Sequence, residues 1–175
     1  MPDELKLIAP TAELEESYRS YVAEAREADD LFVPWVLGFN ADKFPALIAR
    51  LHKASEGRGI PKTFVPHTTF WTIDASSQIV GVANIRHELN EHLLQESGHI
   101  GYSIRPSLRG CGLATRQLAL AIAQAGRMGI PRVLVVCEQD NPASARVIEK
   151  NGGLLENEVF SEEAGKLVRR YWIEL

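Results

Sequence analysis

The segment Ile104-Arg105-Pro106-Ser107-Leu108-Arg109-Gly110-Cys111-Gly112-Leu113-Ala114-Thr115 holds the densest chemistry in the chain. Two glycines and two arginines stand between a strand-like run and a long stretch with helical apolar spacing. A helix start leaves backbone N–H groups without an internal partner, at the positive end of the helix dipole. Such a terminus binds anions. Glycine lets phosphate oxygens approach the backbone, and Arg109 adds charge-assisted hydrogen bonds. The segment therefore reads as a pyrophosphate cradle. A plain glycine turn joining strand to helix is the alternative.

Spacing narrows the kind of cradle. No GxxxxGK[ST] run occurs, so this is not a P-loop. Gly110-Cys111-Gly112 meets two thirds of a GxGxxG fingerprint, but Thr115 stands where the third glycine belongs. The segment also lies late in the chain, which argues against a dinucleotide fold. His87-Glu88-Leu89-Asn90-Glu91-His92 is one residue too long for HExxH. On a helix that pair diverges by about 140°, so no shared metal is expected. Cys137 has no histidine close in sequence and reads as a packing thiol at a strand end.

With a second segment the pattern becomes specific. Arg109-x-x-Gly112-x-Ala114 resembles the [QR]-x-x-G-x-[GA] motif of the GNAT (GCN5-related N-acetyltransferase) superfamily. Downstream, Cys137-x-x-x-Asn141-Pro142-Ala143-Ser144 and Glu149-Lys150-Asn151-Gly152 resemble that family's strand end, N-x-x-[AS] and E-K-x-G. The resemblance spans nearly the whole chain and is densest over 98–153. The wording of 98–106 is most similar to a subgroup of predicted bacterial acetyltransferases.

The resemblance implies one domain over 1–175 and an α+β layered fold. A mixed, mostly antiparallel sheet of about seven strands would be flanked by helices, with a V-shaped splay between the fourth and fifth strands. It implies acetyl-CoA as co-substrate and no metal. Pantetheine would lie along strand 98–104 up to Ile104. The pyrophosphate would sit on the N–H groups of Arg109, Gly110, Cys111, Gly112, Leu113 and Ala114, near Thr115. Asn141 and Ser144 would touch the pantetheine side.

The reaction would be attack of a primary amine on the thioester. A base must leave the amine neutral, and the ranked candidates are Glu96, His99 and Glu88. An N–H donor must hold the oxyanion. Many relatives carry a Tyr at the position of Ile148 to protonate the thiolate, and Ile cannot. Tyr102, Ser144 or Cys137 would substitute, or the thiolate would leave unassisted. The rival reading that this departure allows is a non-catalytic acyl-CoA-binding or sensing module. A nucleotide-binding protein using the same loop is a second rival. The acceptor is a small-molecule or peptide amine of unspecified identity. A homodimer is compatible with the family.

The elements expected to place these groups follow from periodicity. Strand 5–8 ends at Pro10. Thr11 caps a helix with Leu14, Tyr18, Tyr21, Val22 and Ala25 on one face. The exposed-looking aromatics Phe32, Trp35 and Phe39 surround Pro34, as core by default or as an acceptor or dimer surface. Asp42 caps a second helix. Strands 68–73 and 78–86 form a hairpin, polar residues 87–96 follow, and then strand 98–104. A long helix carries Leu118, Ala121, Ile122 and Ala125 inward. Val133-Leu134-Val135-Val136 reads as a strand buried on both faces. Asn141 caps a helix with Pro142 at its first position. Two last strands are expected at 154–160 and 167–172.

The whole chain sets outer bounds. Its 175 residues carry 19 Lys+Arg against 23 Asp+Glu, a net −4. That balance argues against general nucleic-acid binding, which needs cations to displace counterions. Within it, Arg105, Arg109 and Arg116 are expected to form one local positive pocket. The 45% hydrophobic and 24% charged fractions exclude a disordered chain. No signal peptide or membrane span is expected. Two cysteines read as reduced thiols of a cytoplasmic protein.

Overall fold

The computed structural model describes residues 4–30 and 33–175. Strand β1 (Lys6–Ile8) leads into α1 (Glu15–Glu27) and α2 (Phe44–Ser55). Strands β2 (His67–Ile73), β3 (Ile79–Arg86) and β4 (Ile100–Ile104) follow, then α3 (Leu113–Arg127). The chain closes with β5 (Arg132–Glu138), α4 (Pro142–Lys150), β6 (Leu154–Ser161) and β7 (Lys166–Glu174).

The strands form two sheets, ordered β1-β2-β3-β4 and β5-β7-β6. Every strand pair inside each sheet is antiparallel. A lone bridge between Gly98 and Val135 joins them among the described residues. From that point β4 and β5 part, and the splay opens.

Both faces of the first sheet are covered. On one side Tyr18, Tyr21, Phe44, Leu47 and Leu51 of α1 and α2 pack against Trp71 and Val82. On the other, Leu118, Ala121 and Ala125 of α3 meet Ala83, Ile85 and Ile100. The same α3 cluster includes Val133 and Val135 of β5 and Tyr171 and Ile173 of β7. Helix α3 thus spans both sheets, and its periodic apolar face is what holds them together.

Several boundaries move for local reasons. Thr11 does cap, accepting from Glu13 N–H at 3.4 Å, but what it caps is a 3-10 turn at Ala12–Leu14 ahead of α1. Asp42 does not cap α2; ahead of that helix Asn40 caps a 3-10 turn at Ala41–Lys43, its Oδ1 accepting the N–H of Asp42 at 2.9 Å. Pro45 then occupies the first turn of the helix. β4 starts at Ile100 because Gly98, at φ 66°, breaks the extended run. Polar stretch 87–96 is not all solvated. It leads into a π-helical turn, Leu93–Ser97, whose Leu93 is buried. Phe39 is buried and Trp35 half-buried, with Trp35 packed edge-on against Phe39, Phe64 and His67. They are core, as expected by default; Phe32 lies outside the described residues.

Candidate active site

The splay opens into a cleft of about 700 Å³, within the usual range for small-ligand sites. β4 forms one wall, the end of β5 and the start of α4 form the other, and the loop before α3 closes the far end. Arg86 N–H bonds to His99 O and Arg105 N–H to Val80 O, which ties the ends of β4 to β3. Antiparallel alternation then turns the main-chain groups of Tyr102 and Ile104 toward the cleft.

The start of α3 has the properties of an anion site. Gly110 and Gly112 stand at φ 81° and 83°, a region that disfavours side chains. A Cβ at either would meet nothing within 4 Å, so both glycines face open space. Gly112 is the N-cap and brings no capping side chain, and no acid sits in the first turn. Leu113, Ala114 and Thr115 line the cleft beside the glycines. Cys111 is exposed, and its thiol donates back to Leu108 O at 2.9 Å.

The expected arginine pocket is rearranged. Arg105 is 4% exposed and turned inward, bonded to Ile79 O, Ser17 O, Ser20 Oγ and Glu24. A guanidinium buried this deeply needs those partners, so it belongs to the packing of α1 on the sheet. Arg109 Nε donates to Ile104 O at 3.0 Å, and its guanidinium pairs with Asp30. Arg116 is exposed on the first turns of α3. The cations that join Arg109 on the cleft wall are instead Arg146 and Lys150. They stand four residues apart, on one face of α4, and that spacing was the available signal.

Across from the glycines, Tyr102 OH and Ser144 Oγ lie 2.8 Å apart. Ser144 N–H bonds to Asn141 Oδ1 at 3.0 Å, the cap that begins α4. Burial pushes Tyr102 up to about 12 and the neighbouring Cys137 thiol up to about 11, so both hold their protons at neutral pH. Ile148 is fully buried beneath them. Gly153 packs on it so closely that a Cβ there would sit 2.5 Å from Ile148 Cγ2.

None of the three ranked bases lines the cleft. Glu96 accepts Ser161 OH at 2.6 Å and Glu163 N–H at 3.1 Å, and these bonds hold its carboxyl below the usual range. It fastens the β6–β7 turn to the π turn. His99 is 6% exposed, and its Nδ1 accepts the N–H of Leu134 at 2.9 Å. Burial first, and the Arg86 charge second, push it down to about 4. Glu88 is exposed on the loop after β3. The two imidazoles flanking it part company: His87 bonds Thr68 and His92 meets Glu163. The carboxylates on the cleft are Asp29, Asp30 and Glu138, of which Asp30 holds Arg109 and Glu138 holds Lys166.

Residues 5–153 match the family model described as Acetyltransferase (GNAT) domain. The chain belongs to the GNAT acetyltransferase family. Solved structures share the fold of this GNAT chain. The microcin C7 self-immunity acetyltransferase MccE, in complex with acetyl-CoA and AMP, is 17% identical with a TM-score of 0.71, over 99% of this chain and 93% of that one. RimL, a ribosomal alpha-N-protein acetyltransferase in complex with coenzyme A, is 18% identical at 0.73, over 99% and 95%. A chimera of the spermidine N-acetyltransferase SpeG from Vibrio cholerae is 17% identical at 0.67, over 98% and 96%. No curated protein matches the sequence. No helix among the described residues is long and apolar enough to cross a membrane.

The GNAT cradle suits a diphosphate. Two open positive-φ glycines, an uncapped 15-residue helix and cations from two elements converge on one mouth. The groove leading from it runs along β4, about 16 Å for five extended residues.

Proposed function

We propose that this GNAT chain, as one domain over 1–175, moves an acetyl group from acetyl-CoA to a primary amine by direct attack on the thioester. The observation that carries the reading is the uncapped start of α3, with Gly110 and Gly112 open to a cleft whose far wall holds Tyr102 and Ser144. Acetyl-CoA supplies the activated acyl group when bound. The N–H groups of Gly110 to Thr115 would hold its diphosphate, helped by Arg146 and Lys150. Arg109 reaches a phosphate only by giving up Asp30 or Ile104 O. The main-chain groups of Tyr102 take the pantetheine arm; Ile104 O is already engaged by Arg109.

Tyr102 and Ser144 form the proton-donor pair that takes over from the Tyr absent at Ile148. Attack forms the C–N bond and breaks the C–S bond; the hydroxyl pair hydrogen-bonds the departing sulfur, and the proton lost by the amine reaches that sulfur through the pair and water, so Tyr102, held at about 12, ends with its own proton restored. Asn141 orients Ser144 through the cap bond. The carboxylates Asp29, Asp30 and Glu138 on the cleft favour a cationic amine. Such chemistry is shared by polyamines and peptide N-termini, the acceptor types in the names of the structural relatives. Two free thiols fit a reducing, cytoplasmic setting.

The test is calorimetric binding of acetyl-CoA, followed by thiol release with spermidine, short peptides and other amines. Gly112→Arg fills the cradle and is expected to lower acetyl-CoA affinity at least a hundredfold. Unchanged affinity overturns the placement. Binding without thiol release on any amine overturns the transferase reading.

A further inference from the structure

The two sheets touch at the closed end of the cleft, and the contact there is unusual. Gly98 bridges Val135. His99 N–H donates to Leu134 O at 2.7 Å. Leu134 N–H donates to His99 Nδ1 at 2.9 Å. An imidazole nitrogen thus stands in for a main-chain carbonyl, and both main-chain groups of Leu134 are tied to one residue. A Cβ at Gly98 would lie 2.4 Å from Leu134 O, so the strands approach as closely as backbones allow.

Behind this contact stands Arg86 at the end of β3. Its Nη1 donates to Ser97 O and Gly98 O, both at 3.2 Å. Its own N–H donates to His99 O at 2.8 Å. Arg86 therefore holds three successive carbonyls of the segment that turns into β4. Among the described residues it makes no ion pair, and its charge faces His99 from behind.

We propose that Arg86 is a positioning residue which, with His99, clamps β4 to β5 and so fixes the width of the cleft where a bound thioester lies. The cradle follows the end of β4 at Ile104, so an arm running back along the strand brings its reactive end to Ile100, beside the clamp. This rests on the acetyl-CoA reading above.

The clamp works only while His99 Nδ1 carries no proton, because a protonated imidazole has two donors and no acceptor. Burial and Arg86 both keep it neutral. The other groups facing it push the same way or are neutral. His87 and Arg132 line the shallow pocket that His99 shares with Trp172, and no carboxylate does. Glu163 acts at a distance, on Arg86. Removing the Arg86 charge therefore raises the pH at which the clamp opens; water admitted by loosened packing would do the same, and Arg86→Lys, which keeps the charge but not the guanidinium contacts, tells the two apart.

The experiment uses the full chain and acetyl-CoA as probe. His99 is titrated by NMR, and acetyl-CoA affinity is measured by calorimetry from about pH 7.5 to about pH 4.5, in wild type, Arg86→Met, Arg86→Lys and His99→Asn. In Arg86→Met, His99 is expected to titrate roughly one pH unit higher, and the acid loss of affinity to move up with it. Arg86→Lys keeps the charge and the low His99 value. His99→Asn offers a carbonyl in place of Nδ1 and is expected to bind without the acid step. The same His99 titration in Arg86→Met and wild type overturns the proposal. So does an unchanged acid step in His99→Asn, which also decides the matter if Arg86→Met does not fold. If wild type binds no acetyl-CoA, the proposed function falls, while the His99 titration still tests the clamp.

Discussion

Acid should weaken this fold early, through two buried imidazoles. His67 is 2% exposed, and Asn84 Nδ2 donates to its Nδ1 at 2.9 Å. Its Nε2 is buried without a partner among the described residues. His99 is 6% exposed with its Nδ1 on Leu134 N–H. Both are pushed from 6.5 down to about 4, chiefly by burial and then by the Arg86 charge. Between those values the unfolded chain binds a proton at each site and the native chain does not. Stability therefore rises with pH there. The contribution is complete above about 6.5 and is lost as pH falls toward 4. The shift of 6.5 − 4 units, at 1.36 kcal/mol per unit, amounts to about 3 kcal/mol per histidine. At about pH 5 the two together have cost about 4 kcal/mol, a large share of an ordinary domain's stability. The carboxyls held low, Glu24, Asp74 and Glu96, add their losses only at lower pH. Urea unfolding at about pH 7.5 and about pH 5 measures the slope, and His99→Asn should remove about half of it. A wild-type loss below about 1 kcal/mol over that interval would refute the reasoning.

Three further outcomes are expected. Tyr102→Phe should lower turnover ten- to a hundredfold, by about 1 to 3 kcal/mol of barrier, with acetyl-CoA affinity within threefold of wild type; steady-state kinetics beside calorimetry separates the two. Gly98→Ala should cost at least about 2 kcal/mol in urea unfolding, because its Cβ meets Leu134 O at a positive φ. Arg105→Met should cost about 3 kcal/mol, since it removes the ion pair of Glu24 and leaves the buried Ile79 O and the partly buried Ser17 O without their donor; an unchanged urea midpoint would contradict the burial assigned to it.

What could be read from the residues alone was what local chemistry decides. Asn141-Pro142 announces a helix start, and Asn141 does cap α4. The two glycines announce a tight, open turn before the helix, and both stand at positive φ. The apolar run at 133–136 announces a strand buried on both faces, and successive residues Val133, Leu134 and Val135 are fully buried. Contacts between distant segments were not legible. Arg105 looked like part of a positive pocket because Glu24, its partner, lies 81 residues away. Glu96 looked like a base because nothing nearby shows that Ser161, 65 residues on, takes its carboxylate. His99 had the right reference acidity for a base, and burial removed it. Arg146 and Lys150 were hidden differently: on an exposed helix face, charge alone does not tell a cleft wall from open solvent.

The single bridge at Gly98 and Val135 also has a mechanical meaning. Seven strands are cut into a four and a three, and α3, the His99–Leu134 bonds and the Glu96–Ser161 bond keep the halves in register. A ligand laid along β4 would be the eighth strand and the missing seam. Occupancy at a hundred times its dissociation constant would then add about 2.7 kcal/mol to the fold. The gain would show as slower amide exchange on β4 and β5 together, two strands that share almost no hydrogen bonds of their own.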